Sequence, residues 1–322
     1  CADELIVESG KIRNVFTRTH PGTEDSVSQV IRTLNQIPEA VAEFELAVAA
    51  QTELHELTRH TLEVPIRDAR AMTDAGLDGP GFQLEHHVSN VTDWQDDGQL
   101  ASIYYPEIEA LVKRVTGATH VFSNNHLRRQ SEPATGGDGP LARLMAQSRG
   151  PVLTAHNDFA ESFGEGLIRT VANDGVPHTQ TFGLTDAMLI AGLTEEELRS
   201  SRLIVVNTWR SVGPEPWRRY PLAVADRRSV DRSCLSRNLI GRLPSGQPRG
   251  GIEIYSARYE AGHQWYYYPE MTADEVLLWK GFDSAEVPMR PTLHTAFEDA
   301  GTPPDAGERR SVEVRVLCLL PR

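Results

Sequence analysis

Cysteine is scarce in this chain. Three residues, at positions 1, 234 and 318, form an odd and widely spaced set, which excludes a disulfide framework and a clustered zinc site and fits reducing surroundings. No stretch reaches the eighteen or more apolar residues of a membrane span, and no charged-then-apolar signal segment opens the sequence. A soluble, cytoplasmic protein is therefore expected, with no membrane partner. Basic residues are in deficit, 32 Lys and Arg against 45 Asp and Glu, giving a formal net charge of −13. A long phosphate backbone would be repelled, so nucleic acid is not an expected partner either. Internal repeats and low-complexity tracts are lacking too. What is present is 322 residues with 39% apolar side chains before glycine is added, enough to build a core and to exclude disordered and fibrous classes.

Helical signals fall in the first half. Val41, Phe44, Val48, Leu54 and Leu57 recur near helical spacing between Ile37 and Leu62, which predicts one amphipathic helix or two. Pro106 at a first-turn position, Ile108, Leu111, Val112 and Val115 behind it, and Gly117 as a stop predict another. Residues 132–140 read as a Gly/Pro-rich loop. From Pro151 onward short β-rich runs take over: PVLTAH, LIVVNTW, PLAVAD, GIEIYSARY, QWYYYP, VLLWKGF and SVEVRVLCLL. Helices that precede strands, rather than alternate with them, argue against a doubly wound sheet. The expected fold is α+β with a mostly β core, a double-stranded β-helix (jelly roll, cupin-like) with a helical outer layer. It is read as one domain over 1–322, in which 1–150 is mainly a helical layer and 151–322 the jelly-roll core carrying the metal site. In the last run Ser311, Glu313 and Arg315 alternate with Val312, Val314 and Val316, so one polar face is expected to line the barrel mouth.

Chemistry begins at His156-Asn157-Asp158, at the end of an apolar strand. Residues i and i+2 of a strand share a face, so imidazole and carboxylate converge. The same three residues also suit a strand-end turn capped by Asp158. His294, in RPTLHTAF, completes a two-His-one-carboxylate set if its strand meets the first in the barrel. That set leaves three adjacent positions open on a metal ion, the arrangement of non-haem Fe(II) oxygenases. Fifteen residues later stands Arg309-Arg310-Ser311, where an arginine fork and a hydroxyl on one strand face suit the distal carboxylate of 2-oxoglutarate. Paired arginines at a strand start are otherwise surface charges. Asn207 or Arg210 on the VNTWR strand, and Arg315 on the face of Arg309 and Ser311, are further candidates for co-substrate contact, with a buried structural strand and an ion pair to Glu313 as the competing readings. His126, His178 and His263 are weighed as a fourth ligand or proton carrier against satisfied surface or core residues. Phe159 to Ser201, carrying Gly164, Gly166, Gly175 and Gly183, is expected to close over the substrate, against a rigid loop packed on Phe163, Leu167 and Leu184.

From about residue 64 to the end the chain resembles the family that includes the smaller component of the cephamycin 7α-methoxylation system and the fungal hydroxylase/desaturase of aspergillic acid biosynthesis. The resembling stretches are VPIRDAR, GFQLEHHVS, YYPEIEALVKRVTGATHV, HND, VNTWR, PLAVAD, HQWYYYPEMTADEVLLWKGFDS, LHTAF and RRSVEVR. The family's last block commonly reads Arg-Glu-Ser, where this chain has Arg309-Arg310-Ser311. The family resembles iron and 2-oxoglutarate dependent oxygenases, which implies Fe(II), 2-oxoglutarate and O2 as cofactor and co-substrates and a small amino-acid-derived secondary metabolite as substrate. Hydroxylation, desaturation and oxidative ring formation are the expected outcomes. Two rivals stand beside this reading. One is a non-oxygenase metal enzyme on the same barrel, which has no need of Arg309 and Ser311. The other, suggested by the two-component cephamycin system, is a non-catalytic small-molecule-binding subunit that serves a methyltransferase partner.

Overall fold

A computed structural model describes residues 6–8, 11–13, 62–130, 150–172, 188, 191–213, 217–240 and 252–322. The helices expected between Ile37 and Leu62, apart from Leu62 itself, and the loop 132–140 lie outside these residues. A small hairpin of β1 (Ile6–Glu8) and β2 (Lys11–Arg13) stands apart from two larger sheets.

The first large sheet has seven strands, in the order β3 (Ile66–Asp68), β11 (Trp265–Tyr267), β8 (Leu222–Ala225), β13 (His294–Ala296), β6 (His156–Asn157), β10 (Ile252–Ala257) and β9 (Leu235–Ile240). The second has five: β4 (Phe82–His86), β12 (Glu275–Asp283), β7 (Ser201–Ser211), β14 (Arg310–Pro321) and β5 (His120–Gln130). All pairings are antiparallel except β3 with β11. Two facing, almost wholly antiparallel sheets are the jelly roll the strand pattern predicts. The described part of the first half contributes strands as well as helix, since β3, β4 and β5 extend the two sheets.

Alternation along β7, β12 and β14 decides which residues face which layer. Ile204, Val206, Val276, Leu278, Val312, Val314 and Val316 point outward and form one core cluster with Ile108, Leu111 and Val112 of helix α1 (Tyr105–Thr116). That helix begins and ends where its sequence says: Pro106 sits in its first turn, and Gly117 closes it at φ 70°, a left-handed conformation glycine adopts without strain. Each fully buried apolar side chain in such a layer contributes roughly 1.5–3 kcal/mol. The Arg70 guanidinium, just after β3, donates to both oxygens of Glu275 at 2.7 and 2.9 Å, tying the end of β3 to β12 across the two sheets.

The segment expected to close over the substrate contributes a core cluster from its described parts. Phe159, Phe163, Leu167, Ile168 and Val171, most of them on helix α2 (Ser162–Ala172), pack with Met188, Leu193, Leu198, Leu203, Leu317 and Phe282. Thr194 and Glu197 form the capping box that starts helix α3 (Glu195–Ser200). Leu184, Gly175 and Gly183 lie outside the described residues. Gly164 serves close packing rather than hinge motion, because a Cβ there would stand 2.8 Å from the Phe282 ring.

Gly164→Ala therefore opposes two effects. Alanine favours an exposed helix interior by about 1 kcal/mol, whereas overpacking a filled core costs about 1–3 kcal/mol. The Phe282 ring is itself held edge-on by Phe163, with centroids 5.3 Å apart, so it has little room to yield. We expect the variant to unfold at lower denaturant concentration than wild type; a midpoint equal to or above wild type would show that the ring yields.

Candidate metal centre and co-substrate site

The register of the five-stranded sheet lines up one row of inward side chains. Asn207 on β7 pairs with Trp279 on β12 and with Arg315 on β14, and directly paired residues point to the same face. In the opposite sheet His294 on β13 pairs with His156 on β6 and with Val224 on β8. The two rows meet inside the barrel. The His156 and His294 rings stand 4.3 Å apart between centroids, and Trp279 lies against His294 at 4.7 Å.

Asp158 follows β6 and turns into the same space. One donor atom from each of His156, Asp158 and His294 lies within 4.8 Å of the others, and among the described residues this is the one group of three or more such side chains able to hold a metal ion. Two neutral nitrogens and one carboxylate suit Fe(II) with open positions. The tautomer of His156 fits as well. Its Nδ1 lies 2.7 Å from the Thr154 carbonyl and so carries the proton, which leaves the Nε2 lone pair free beside Asp158 Oδ1, 3.6 Å away. Asp158 and His294 are buried, whereas the His156 side chain keeps 15% of its surface exposed, so the site opens on that side.

Electrostatics prepare these groups for a cation. Burial alone would raise the Asp158 carboxyl, but the Arg315 guanidinium, which also hydrogen-bonds it, outweighs this and holds the group well below the usual carboxylate range. Burial pushes His294 down to about 3, so its ring is neutral. Asn207 and Arg315, both expected at the co-substrate, lie against Asp158. The Asn207 Nδ2 donates to Oδ2 at 2.7 Å and the Arg315 Nε to the same oxygen at 2.9 Å. Glu313 stands beside both, 3.1 Å from Arg315 Nη2 and 3.4 Å from Asn207 Nδ2.

Further along the same inward face lie Ser311 and, just before β14, Arg309, both buried. The Arg309 guanidinium sits over the Trp209 and Trp217 rings at 5.6 and 5.7 Å, with Nε 3.4 Å from Ser311 Oγ and Nη1 3.3 Å from the Tyr220 carbonyl. Burial pushes this arginine down to about 9, with Arg129 adding repulsion. The indole N–H groups of Trp209 and Trp217 and the Ser211 hydroxyl are buried with no hydrogen-bond partner among the described residues. A buried cation beside unused donors is a setting in which a carboxylate fits.

Other candidates fall elsewhere. Arg210 faces outward on β7, between Trp94 and Tyr104, with its Nη2 donating to the His87 carbonyl at 2.7 Å. His126 on β5 is tied to the Tyr105 hydroxyl at 2.8 Å and Asp97 at 3.1 Å, and His263 lies 3.4 Å from the Cys234 sulfur. His178 is outside the described residues. Sequence reasoning gave no role to Asn157 or Gly281. The Asn157 amide donates to the carbonyls of Phe159 and Gly281 at 2.7 and 2.9 Å, which pins the chain between the two candidate ligands. Gly281 sits at a register shift in β12, where a Cβ would stand 2.8 Å from Asn207 Oδ1 and 2.9 Å from the Phe159 ring.

A jelly roll with a two-His-one-carboxylate cluster between its sheets has the arrangement found in non-haem Fe(II) oxygenases. Residues 34–319 match the family described as Oxidoreductase/YMDC permease-like domain. The chain is 30% identical over 272 residues to a hydroxylase/desaturase of Hormonema carpetanum, covering 81% of this chain and 84% of that one. It is 30% identical over 265 residues to an alpha-ketoglutarate-dependent dioxygenase of a fungal species, covering 80% and 83%. Among solved structures it is similar to the iron and alpha-ketoglutarate-dependent endoperoxidase NvfI, with a TM-score of 0.63 and 25% identity over 80% of this chain and 84% of that one. The chain belongs to this family of Fe(II)- and 2-oxoglutarate-dependent dioxygenases. These relatives stand on the fungal side of the resemblance drawn from the sequence. Among the described residues no helix is long and apolar enough to cross a membrane.

Replacing His156, Asp158 or His294 by alanine is expected to lower Fe(II) affinity by more than about 100-fold, since changes one shell further out already cost 10–100-fold. Anaerobic Fe(II) titration of each folded variant measures this. Two variants of wild-type affinity would remove the metal site from these residues.

Proposed function

We propose that His156, Asp158 and His294 hold Fe(II), that Arg309 and Ser311 take the distal carboxylate of 2-oxoglutarate, and that Asn207 and Arg315 belong to the same constellation through Asp158. The observation that carries this reading is the convergence of the three donor atoms from the two sheets. Fe(II) bound there supplies, with 2-oxoglutarate and O2, the oxidation of a substrate C–H bond coupled to decarboxylation of the keto acid. The chain's own residues do the rest. Arg309, laid over two indoles and next to a serine, offers a planar fork in a fixed orientation. Phe159, Phe163 and Leu317 on one side, and Trp209, Leu277 and Trp279 on the other, keep water from the buried part of the site.

The substrate in this reading is a small secondary metabolite, amino-acid-derived, that reaches the site from the exposed side of His156. Hydroxylation, desaturation and ring formation are all within reach of the same centre, and the similar proteins carry names of each kind: hydroxylase/desaturase, dioxygenase and endoperoxidase. The whole chain is read as one oxygenase domain, supported by β3, β4 and β5 joining the sheets built from later residues. A cytoplasmic setting is supported by the free thiols at Cys234 and Cys318. A methyltransferase partner rests on the cephamycin resemblance alone.

The test is anaerobic loading with Fe(II) followed by measurement of 2-oxoglutarate consumption and succinate release on addition of O2. A silent binding subunit or a non-oxygenase enzyme yields no succinate. Arg309→Ala is expected to raise the KM for 2-oxoglutarate roughly 10- to 100-fold, the range set by losing a charge-assisted hydrogen bond of about 1.5–3 kcal/mol. Arg309→Lys should recover part of this, because a point charge cannot replace the fork. A wild-type KM in Arg309→Ala, with the effect appearing in Arg310→Ala instead, would move the co-substrate contact to the neighbouring residue.

A further inference from the structure

We propose that Asn207 and Arg315 are positioning residues that hold Asp158 to a single metal-binding oxygen. The inference rests on the metal-site reading above and adds which oxygen binds and why. An ionised carboxylate oxygen offers two lone pairs. Oδ2 of Asp158 accepts one hydrogen bond from Asn207 Nδ2 at 2.7 Å and one from Arg315 Nε at 2.9 Å, which fills both. Oδ1 is the oxygen that faces His156 Nε2, at 3.6 Å. The carboxylate is thereby denied the two-oxygen grip it could otherwise take on a cation. One position that a chelating aspartate would occupy stays available to the keto acid or O2.

The two donors are themselves held. Glu313 lies against both, at 3.1 Å from Arg315 Nη2 and 3.4 Å from Asn207 Nδ2, so each of them sits between two carboxylates. That fixes the amide of Asn207 with nitrogen toward the acids, since the flipped amide would set its oxygen against two anions. The consequence is visible at the other end. Asn207 Oδ1 is buried with no hydrogen-bond partner among the described residues, and it points to where Gly281 lacks a Cβ. A side chain selected for stability would not leave that oxygen bare in the core. The unfavourable half of the amide is tolerated because the other half is needed at Asp158.

Co(II) is a suitable probe, because the position and intensity of its visible absorption report coordination number and its affinity is measured without turnover. Asn207→Leu removes the donor with little change in volume. Arg315→Lys keeps the charge and loses the Nε–H. With either donor gone, Oδ2 becomes free to bind in place of a coordinated water, so the Co(II) spectrum is expected to differ from that of wild type, with a change in Kd of about 10-fold or more. The KM for 2-oxoglutarate should rise in the same variants. Asn207→Leu is expected to melt at or above the wild-type temperature, an outcome a merely structural role would not give. Wild-type Co(II) spectra in both variants, or in Asn207→Leu alone should Arg315→Lys fail to fold, would overturn the proposal. If His156→Ala and Asp158→Ala also bind Co(II) as wild type does, the metal-site reading itself has failed, and this inference with it.

Discussion

The register of β7 against β12 and β14 is the constraint on which the site depends. Side chains alternate between faces with a period of two, so a slip of one residue would turn Asn207 and Trp209 outward and bring Thr208 and Arg210 into the barrel. On the outward face Ile204, Val206, Val276, Leu278, Val312, Val314 and Val316 meet helix α1, which fixes the register strongly. The helical layer therefore does more than cover a sheet. By holding Val312, Val314 and Val316 on its side, it delivers Ser311, Glu313 and Arg315 to the other.

The inward face then divides along the strands. Leu203, Val205, Leu317 and Leu319 at one end join the aromatic cluster of Phe159, Phe163 and Phe282. In the middle the same face carries Asn207, Glu313 and Arg315. A buried ion pair is rarely better for stability than apolar residues of equal volume, because desolvating each ion costs several kcal/mol. The apolar ends thus hold the barrel together, and the polar middle is kept in spite of stability. Removing Arg315 alone would leave Asp158 and Glu313 buried without their cation, and for that reason the charge-conserving lysine is the informative change.

Much of this was legible in the sequence, for reasons of local periodicity. The spacing of His156 and Asp158, the alternation in SVEVR and the Pro106 and Gly117 boundaries each need only a few neighbouring residues to interpret. What was not legible depends on pairing between strands far apart in the chain. Asn157 holds Gly281, and Gly281 makes room for Asn207, contacts that exist only once β6, β7 and β12 are side by side. The run PVLTAH shows the same limit. It reads as a full strand, yet only His156 and Asn157 pair regularly, while the carbonyls of Val152 and Ala155 accept single bonds from Ala296 and Ala257. In the segment after Asp158 the glycine spacing suggests motion, whereas one of those glycines, Gly164, admits the Phe282 ring, a contact that needs the folded barrel to be seen.

Two arginines on one face, Arg315 on β14 and Arg309 just before it, complete the electrostatic design and shift in opposite directions. Burial acts against both. At Arg315 it is outweighed by Asp158 and Glu313, which raise the group above its ordinary value. At Arg309 burial dominates and Arg129 adds to it, so the guanidinium is lowered to about 9. The strand thus has one end whose cation is already favoured by carboxylates of the chain, and another whose cation is disfavoured by its surroundings. A dicarboxylate placed with one acid at the metal and the other against Arg309 reverses the second condition without disturbing the first. The Trp209 and Trp217 faces over Arg309 supply only part of such stabilisation, because a ring quadrupole attracts a cation less strongly than a full carboxylate charge does.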